Sequence, residues 1–286
     1  MHKPANNKLY AILLTAFALM AFAANSIICR MALGNTAIDP ASFTTIRLTS
    51  GAIVLWVIVS VSSGYELRRH PGSWWSAGML FLYAAAFSFA YVSLNAGAGA
   101  LILFGSVQAT MITSGLLKGE RPPLLAWCGL AIALAGLVYL VLPGLEAPSF
   151  SGAALMALAG FAWGIYSLRG IGATNPMAVT SDTFLRSVPM TVGVSLVLIQ
   201  VLQISLEGIL LAVLSGGLTS GIGYVVWYAA LRSLSAIRAA MLQLLVPIIA
   251  AVGGVLLLSE LVTLRLVLSG ILIIGGVGLT LMATQQ

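Results

Sequence analysis

The 286-residue chain is 60% hydrophobic and only 7% charged, far from the roughly half-apolar, quarter-charged make-up of soluble domains. That balance excludes a water-soluble enzyme or carrier and makes lipid the solvent. The net charge of +6 comes from single cations scattered along the connections, without a basic stripe, so a nucleic-acid partner is excluded as well.

Charge-free runs long enough to cross roughly 30 Å of hydrocarbon at about 1.5 Å per helical residue predict ten spans. The first, near 9–32, follows Lys3 and Lys8 and contains Ala21-Phe22-Ala23. Together these resemble a secretory signal with its cleavage site, but a partner segment in the second half argues that it is retained. Its polar handles are Asn25 and Ser26, and it carries Arg30 near its end. The second span, 40–62, opens on Pro40 and places Arg47 seven residues further on, roughly 10 Å into the bilayer. A charge there costs about 3 kcal/mol on insertion scales, so Arg47 faces a polar interior. It could meet a substrate carboxylate or close a gate; a structural staple on neighbouring carbonyls is the more ordinary role.

The longest hydrophilic connection, SSGYELRRHPGS, is short, so any function resides in the membrane-embedded part. Spans three and four, 73–94 and 98–117, are separated by Asn95-Ala-Gly-Ala-Gly99, which reads as a turn. The third puts Tyr83, Phe87 and Tyr91 four apart on one stripe, behind Trp74 and Trp75 at the interfacial belt, and the fourth carries Gln108. The fifth span covers 123–142, and the sixth, 150–169, holds Trp163 and Tyr166. In the seventh, 177–201, Asp182 precedes Arg186 by four residues, an acid-before-base pair on one face, better suited to a neutral clasp than to a proton relay. The eighth, 208–231, presents Ser220, Tyr224 and Trp227. In the ninth, 237–258, Gln243 stands one turn before Pro247, where a distorted helix frees a carbonyl. The tenth covers 263–283.

Rings bearing a hydroxyl or an indole N–H suit a pocket that buries an apolar body while offering hydrogen bonds. Tyr83, Phe87, Tyr91, Trp163, Tyr166, Tyr224 and Trp227, with Asn25, Gln108, Ser220 and Gln243, are therefore the candidate cavity residues. Each could equally pack between helices. Arg47, Asp182 and Arg186 are the candidate gating or structural charges. Gly160-x-x-x-Gly164 and Gly217-x-x-x-Gly221 permit close helix approach, and Pro189 and Pro247 permit bends.

Lys3, Lys8, Arg68, Arg69, Lys118, Arg121, Arg169, Arg232 and Arg238 fall on one set of connections, and Arg30 and Arg265 on the other. This positive-inside bias places both termini in the cytoplasm. Cys29 and Cys128 fall within spans without metal or CxxC spacing and read as small core residues. The histidines are His2 and His70, both outside the spans, with no HExxH and no serine beside a base. No cofactor or metal is expected, and an intramembrane enzyme or a channel is the weaker alternative.

The chain repeats itself. An offset of 139 pairs Arg30 with Arg169 and Arg47 with Arg186, and an offset of 140 pairs Glu120 with Glu260. Charges are scarce enough here for these matches to carry weight. The boundary falls near PGLEAPSFSG, giving units 1–146 and 147–286 with five spans each. Because five is odd, the second unit enters from the opposite side, the inverted-repeat plan of secondary transporters.

AANSIICRMAL and GIYSLRG, Pro40 to Arg47, and the matched junctions LLKGERPPLLAWCGLAIALAG and LLLSELVTLRLVLSGILIIGG resemble the drug/metabolite transporter superfamily, EamA branch. The resemblance implies an all-α, ten-helix bacterial inner-membrane protein. Length and aromatic-rich inner helices are most similar to YddG-like exporters of aromatic amino acids, which implies outward movement of amino acids or similar metabolites. Multidrug or cationic-toxicant export is the alternative within the branch, although the first span lacks the mid-helix carboxylate of the four-helix multidrug relatives. The implied partners are a small-molecule substrate and the lipid bilayer; no oligomeric state follows.

Overall fold

The computed structural model describes residues 5–35, 37–63, 72–117, 123–142, 147–170, 175–231 and 242–283. Its elements are α1 (Ala5–Gly34), α2 (Pro40–Ser63), α3 (Trp74–Tyr91), α4 (Ala96–Leu117), α5 (Leu124–Val141), α6 (Phe150–Gly170) and α7 (Pro176–Val197). They are followed by a composite α8, in which Leu206–Val213 is α-helical, Leu214–Ile222 winds as a π-helix and Gly223–Leu231 returns to α. The series closes with α9 (Leu245–Leu258) and α10 (Leu264–Ala283). Among the described residues extended backbone pairs only at an isolated antiparallel bridge, Ile38 with Ile204.

The helix starts are written in short polar side chains that accept otherwise unpaired first-turn N–H groups. Asp39 accepts from Ser42 N at 2.9 Å ahead of Pro40, Ser149 from Gly152 N at 3.2 Å, and Asn175 from Ala178 N at 3.2 Å ahead of Pro176. Ser205 accepts from Gly208 N at 3.0 Å and Thr263 from Leu266 N at 3.1 Å. Proline after the cap adds a preset φ where no N–H is needed. At the other extreme α9 stops at Ser259, whose φ of 53° is left-handed.

Among the described residues seven helices are long and apolar enough to cross a membrane, against the ten spans expected. The shortfall has local causes. Trp, Tyr and Ser dilute α3; the polar run Thr180 to Thr183 with Arg186 dilutes α7; in the ninth span, 237–258, α9 begins only at Leu245, after a turn at Leu244, and 237–241 lie outside the described residues. The α3–α4 turn also sits earlier than Asn95-Ala-Gly-Ala-Gly99 suggests: Gly97 and Gly99 are helical. A Cβ on Gly99 would strike the Tyr91 ring and one on Gly97 would strike Ala251, so these glycines serve close approach rather than the bend. Of the nine expected cytoplasmic cations, Lys3, Arg68, Arg69, Lys118, Arg121, Arg232 and Arg238 lie outside the described residues, as does Glu120.

The principal helix contacts join α5 to α10, α1 to α8, α3 to α6, α2 to α8, α2 to α7, α4 to α6, α1 to α9, α4 to α9 and α3 to α7. Lipid is as apolar as leucine, so these contacts depend on fit, not on water exclusion. Small residues supply it. Gly160 and Gly164 face Leu103, Ser106, Val107 and Thr110 of α4, and Gly129 and Gly276 face one another across α5 and α10. On α8 the tightest approach is made by Gly216, against the Arg47 carbonyl and Ser50, whereas Gly217 and Gly221 of the expected motif meet only Val54 or their own helix less closely. Leucines such as Leu117, Leu124 and Leu206 point outward, as lipid-facing side chains do. Cys29 is buried as expected; Cys128 is exposed and so is not a core residue.

Each end of the bundle carries its own polar ties. At one, Arg30 Nε lies 3.3 Å from Glu260 Oε1 and Arg30 also donates to the Tyr91 and Val92 carbonyls, both at 3.1 Å. Glu260 accepts from Ala96 N with both oxygens, at 3.1 and 2.9 Å. Burial holds the Glu260 carboxyl above its ordinary range, against the lowering effect of the Ala96 N–H and of Arg30. At the opposite end Asp182 Oδ2 accepts from Arg186 Nε at 2.7 Å and from Gly72 N at 2.5 Å, and Arg169 donates to Ser76 at 3.2 Å.

Candidate functional site

Side chains from α1, α3, α4, α6 and α8, with Gln243 just ahead of α9, enclose a cavity of about 30 Å³, room for about one water. Four-residue spacing brings Tyr83 and Phe87 to one face of α3, where their rings lie 5.3 Å apart. Trp163 of α6 packs between helices, 4.8 Å from Tyr83 and 5.2 Å from Tyr224 of α8. Phe22 of α1 meets Tyr224 edge-on at 6.0 Å, and Phe184 of α7 meets the same ring at 5.9 Å. Edge and tilted contacts of this kind are the favoured ring geometries. Leu103 and Phe104 of α4 close the apolar wall.

The polar wall is centred on Asn25. Its Oδ1 accepts from Ser215 Oγ at 2.7 Å and from Thr219 Oγ1 at 3.1 Å, both donors in the π-helical stretch of α8. Such stretches are rare and frequent at functional sites. Ser26, Ser220 and Gln243 add further polar groups to the lining.

Behind the rings lies Arg47, 1% exposed. Its guanidinium stacks over Tyr83 at 5.4 Å and Phe87 at 5.0 Å, donates to Tyr83 Oη at 3.2 Å and approaches Cys29 Sγ at 4.0 Å. Its Nε has no partner, and among the described residues it makes no ion pair. Arg186, the residue matched to it by the repeat, differs: it pairs with Asp182, stacks on Trp74 at 5.3 Å and is 26% exposed. Among the described residues no three His, Cys, Asp or Glu gather to hold a metal.

The EamA-like transporter family matches residues 150–282. A protein of Pseudomonas aeruginosa, itself described as uncharacterized, is 48% identical across 94% of this chain and 94% of its own length. An uncharacterized transporter of Archaeoglobus fulgidus is 25% identical across 96% of this chain and 98% of its own. The chain belongs to the EamA-like transporter family. A solved crystal structure superposes on this family member with a TM-score of 0.67 at 20% identity, covering 96% of this chain and 99% of that one; at that identity the likeness concerns the fold. An EamA-like transporter is a multi-pass membrane protein with a small-molecule substrate.

In this EamA-like chain Asn25, Tyr83, Phe87, Trp163, Ser220, Tyr224 and Gln243 meet at one cavity. Four other candidates lie off its wall. Tyr91 packs edge-on against Phe87 at 4.7 Å and donates to the Ala96 carbonyl at 3.4 Å. Tyr166 stacks on Trp163 at 5.4 Å and donates to Thr180 at 3.5 Å. Trp227 sits 5.7 Å from Phe22 in a small cluster with Ala18 and Ala230. Gln108 lines a separate void of about 10 Å³ among α4, α5 and α10. Phe22, Leu103, Phe104 and Thr219 join the wall without a site role read from sequence. Thr219 adjoins Ser220, and Phe22 stands three residues before Asn25; those neighbours were the available signals.

Proposed function

We propose that the protein is an inner-membrane exporter of amino acids, aromatic ones preferred, and of similar small metabolites, working by alternating access between two inverted five-helix repeats, 1–146 and 147–286, with both termini cytoplasmic. The carrying observation is a cavity walled by rings and lined by amide and hydroxyl groups, drawn from both halves of the chain. Burying a ring of phenylalanine size contributes about 1.5–3 kcal/mol, and directed hydrogen bonds to Asn25 or Gln243 would set its orientation. The packing pattern favours the repeat: exchanging the first five helices for the last five turns the α3–α6 contact into α8–α1 and α4–α6 into α9–α1, while α2–α7, α4–α9 and α5–α10 map onto themselves. A space of about 30 Å³ is far below the ~300–1,000 Å³ of small-molecule sites, so loading requires the halves to part. Asp182 is tied to Arg186, which favours facilitated or weakly coupled movement.

The test is flux of phenylalanine from proteoliposomes. Trp163→Ala lowers it on the order of tenfold, the equivalent of about 1.4 kcal/mol of lost binding, with membrane abundance unchanged. Equal loss of flux and abundance makes Trp163 a packing residue and removes the support for this reading; flux far above transporter turnover would make the protein a channel.

A further inference from the structure

An aromatic cavity in a membrane invites two opposite kinds of guest. Tyr83, Phe87, Trp163 and Tyr224 could cage an organic cation by their ring faces, or could receive an anion with help from a nearby positive charge. The second-helix arginine decides between them. Resting on the reading above, we infer that Arg47 is a specificity-determining residue: it occupies a face of two of the four cage rings, Tyr83 and Phe87, from behind, and thereby admits aromatic carboxylates and turns away aromatic ammonium ions.

Three observations support this. First, the guanidinium stays protonated and lies over Tyr83 and Phe87, two rings whose other contacts wall the cavity. Those ring faces already hold a cation.

Second, among the described residues that cation has no counter-charge. Asp182 stands four residues before Arg186, whereas the position four before Arg47 is Phe43, itself fully buried. The acids among the described residues are engaged or remote: Asp39 binds the backbone of Ser42 and Gln203, Asp182 binds Arg186, Glu260 binds Arg30 and Ala96, and Glu207 is exposed at the start of α8. Arg47 Nε, in addition, is buried without a hydrogen-bond partner. A buried charge of this kind favours an arriving negative group and opposes a positive one.

Third, among the described residues the cavity wall holds no carboxylate for an ammonium group; its polar side chains are amides, hydroxyls and the Tyr and Trp rings. A carboxylate can accept from Asn25, Ser26 or Gln243 and feel Arg47 through the ring layer. An ammonium finds acceptors but no counter-charge.

The experiment uses the full-length protein in lipid nanodiscs and three probes of one ring and one chain length: 3-phenylpropionate, 3-phenylpropanol and 3-phenylpropylammonium. Binding is read by quenching of tryptophan fluorescence, with Trp163→Phe as the control for signal from the cavity. The wild type binds the anion on the order of tenfold more tightly than the ammonium, with the alcohol between them. Arg47→Met closes that gap while the alcohol keeps its affinity, which a merely structural arginine would not do. Arg47→Lys, which retains the charge without the planar stack, retains the order and serves if the methionine variant does not fold. A wild type that binds ammonium as tightly as carboxylate, or a gap left intact in Arg47→Met, overturns this inference alone. Failure of all three probes to bind removes the aromatic cavity and this inference with it.

Discussion

Ser215 donates to the side-chain oxygen of Asn25 over 2.7 Å, a bond that ties the π-helical part of α8 to α1 across 190 residues of sequence. Asn25 accepts Thr219 as well, at 3.1 Å, but Thr219 has a second acceptor in the Ser215 carbonyl. Asn25→Ala therefore orphans mainly the Ser215 hydroxyl, at a cost of about 1–3 kcal/mol for a buried donor. A lower unfolding temperature and slower flux are expected together; a variant with unchanged melting would mean the Ser215 hydroxyl turns to Cys29 Sγ, 3.6 Å away.

Glu260 gives the C-terminal end of α1 a dependence on pH through its pair with Arg30. Its folded-state pKa is raised, chiefly by burial, above the ordinary 4.5. A raised folded pKa means that the associated stability is present below the unfolded value and is lost as pH rises through the folded one. The wild type should thus gain stability relative to Glu260→Gln as pH is lowered from 7 toward 4.5. Melting in detergent across that range checks the sign, and parallel curves for the two proteins would refute it.

Gly216 and Gly275 make a paired test of helix approach. A methyl group on Gly216 would enter the space of the Arg47 carbonyl and the Ser50 hydroxyl, whereas around Gly275 nothing lies within 4 Å. Gly216→Ala is expected to cost about 1–3 kcal/mol through overpacking. Gly275→Ala, on an exposed helix face, gains up to about 1 kcal/mol of helix propensity. Thermal unfolding of the two variants should move in opposite directions.

Asp182→Asn keeps an acceptor for Gly72 and loses the charge facing Arg186. With both side chains about a quarter exposed, the pair contributes on the order of 0.2–1 kcal/mol. Near-normal stability and an unaltered response of proteoliposome flux to a pH gradient are expected. Loss of a pH-driven signal would identify Asp182 as a proton carrier and overturn the facilitated reading.

What could be read from the chain beforehand follows the strength of each physical signal. Helix positions were plain because long, nearly charge-free runs mark the spans; the caps Asp39, Ser73, Asn175 and Ser205, each accepting a first-turn N–H, came to light only in the structure. Tyr83, Trp163 and Tyr224 could be singled out because a polar atom on a ring is unusual in such oily company, and Phe87 because it stands four residues from Tyr83 on the same stripe. Phe22, Leu103 and Phe104 could not, since in a chain that is 60% apolar a wall residue looks like any lipid-facing one. Gly97 and Gly99 misled for a related reason: a glycine that yields to a tyrosine ring and one that bends the chain are written alike. The Arg47–Tyr83 contact joins residues 36 apart in sequence, and only tertiary geometry reveals it.

The nine-residue widening of α8 from Leu214 to Ile222 has a mechanical corollary. An i→i+5 coil stores slack: tightened to ordinary α-geometry, it would turn everything downstream by as much as about 100° for each residue taken up. Tyr224 lies two residues past that coil, with its ring against Trp163, while Ser215 and Thr219 within it grip Asn25. Rewinding a single backbone segment would therefore unclip α1 and swing an aromatic wall in the same stroke, a ratchet that needs no separate hinge.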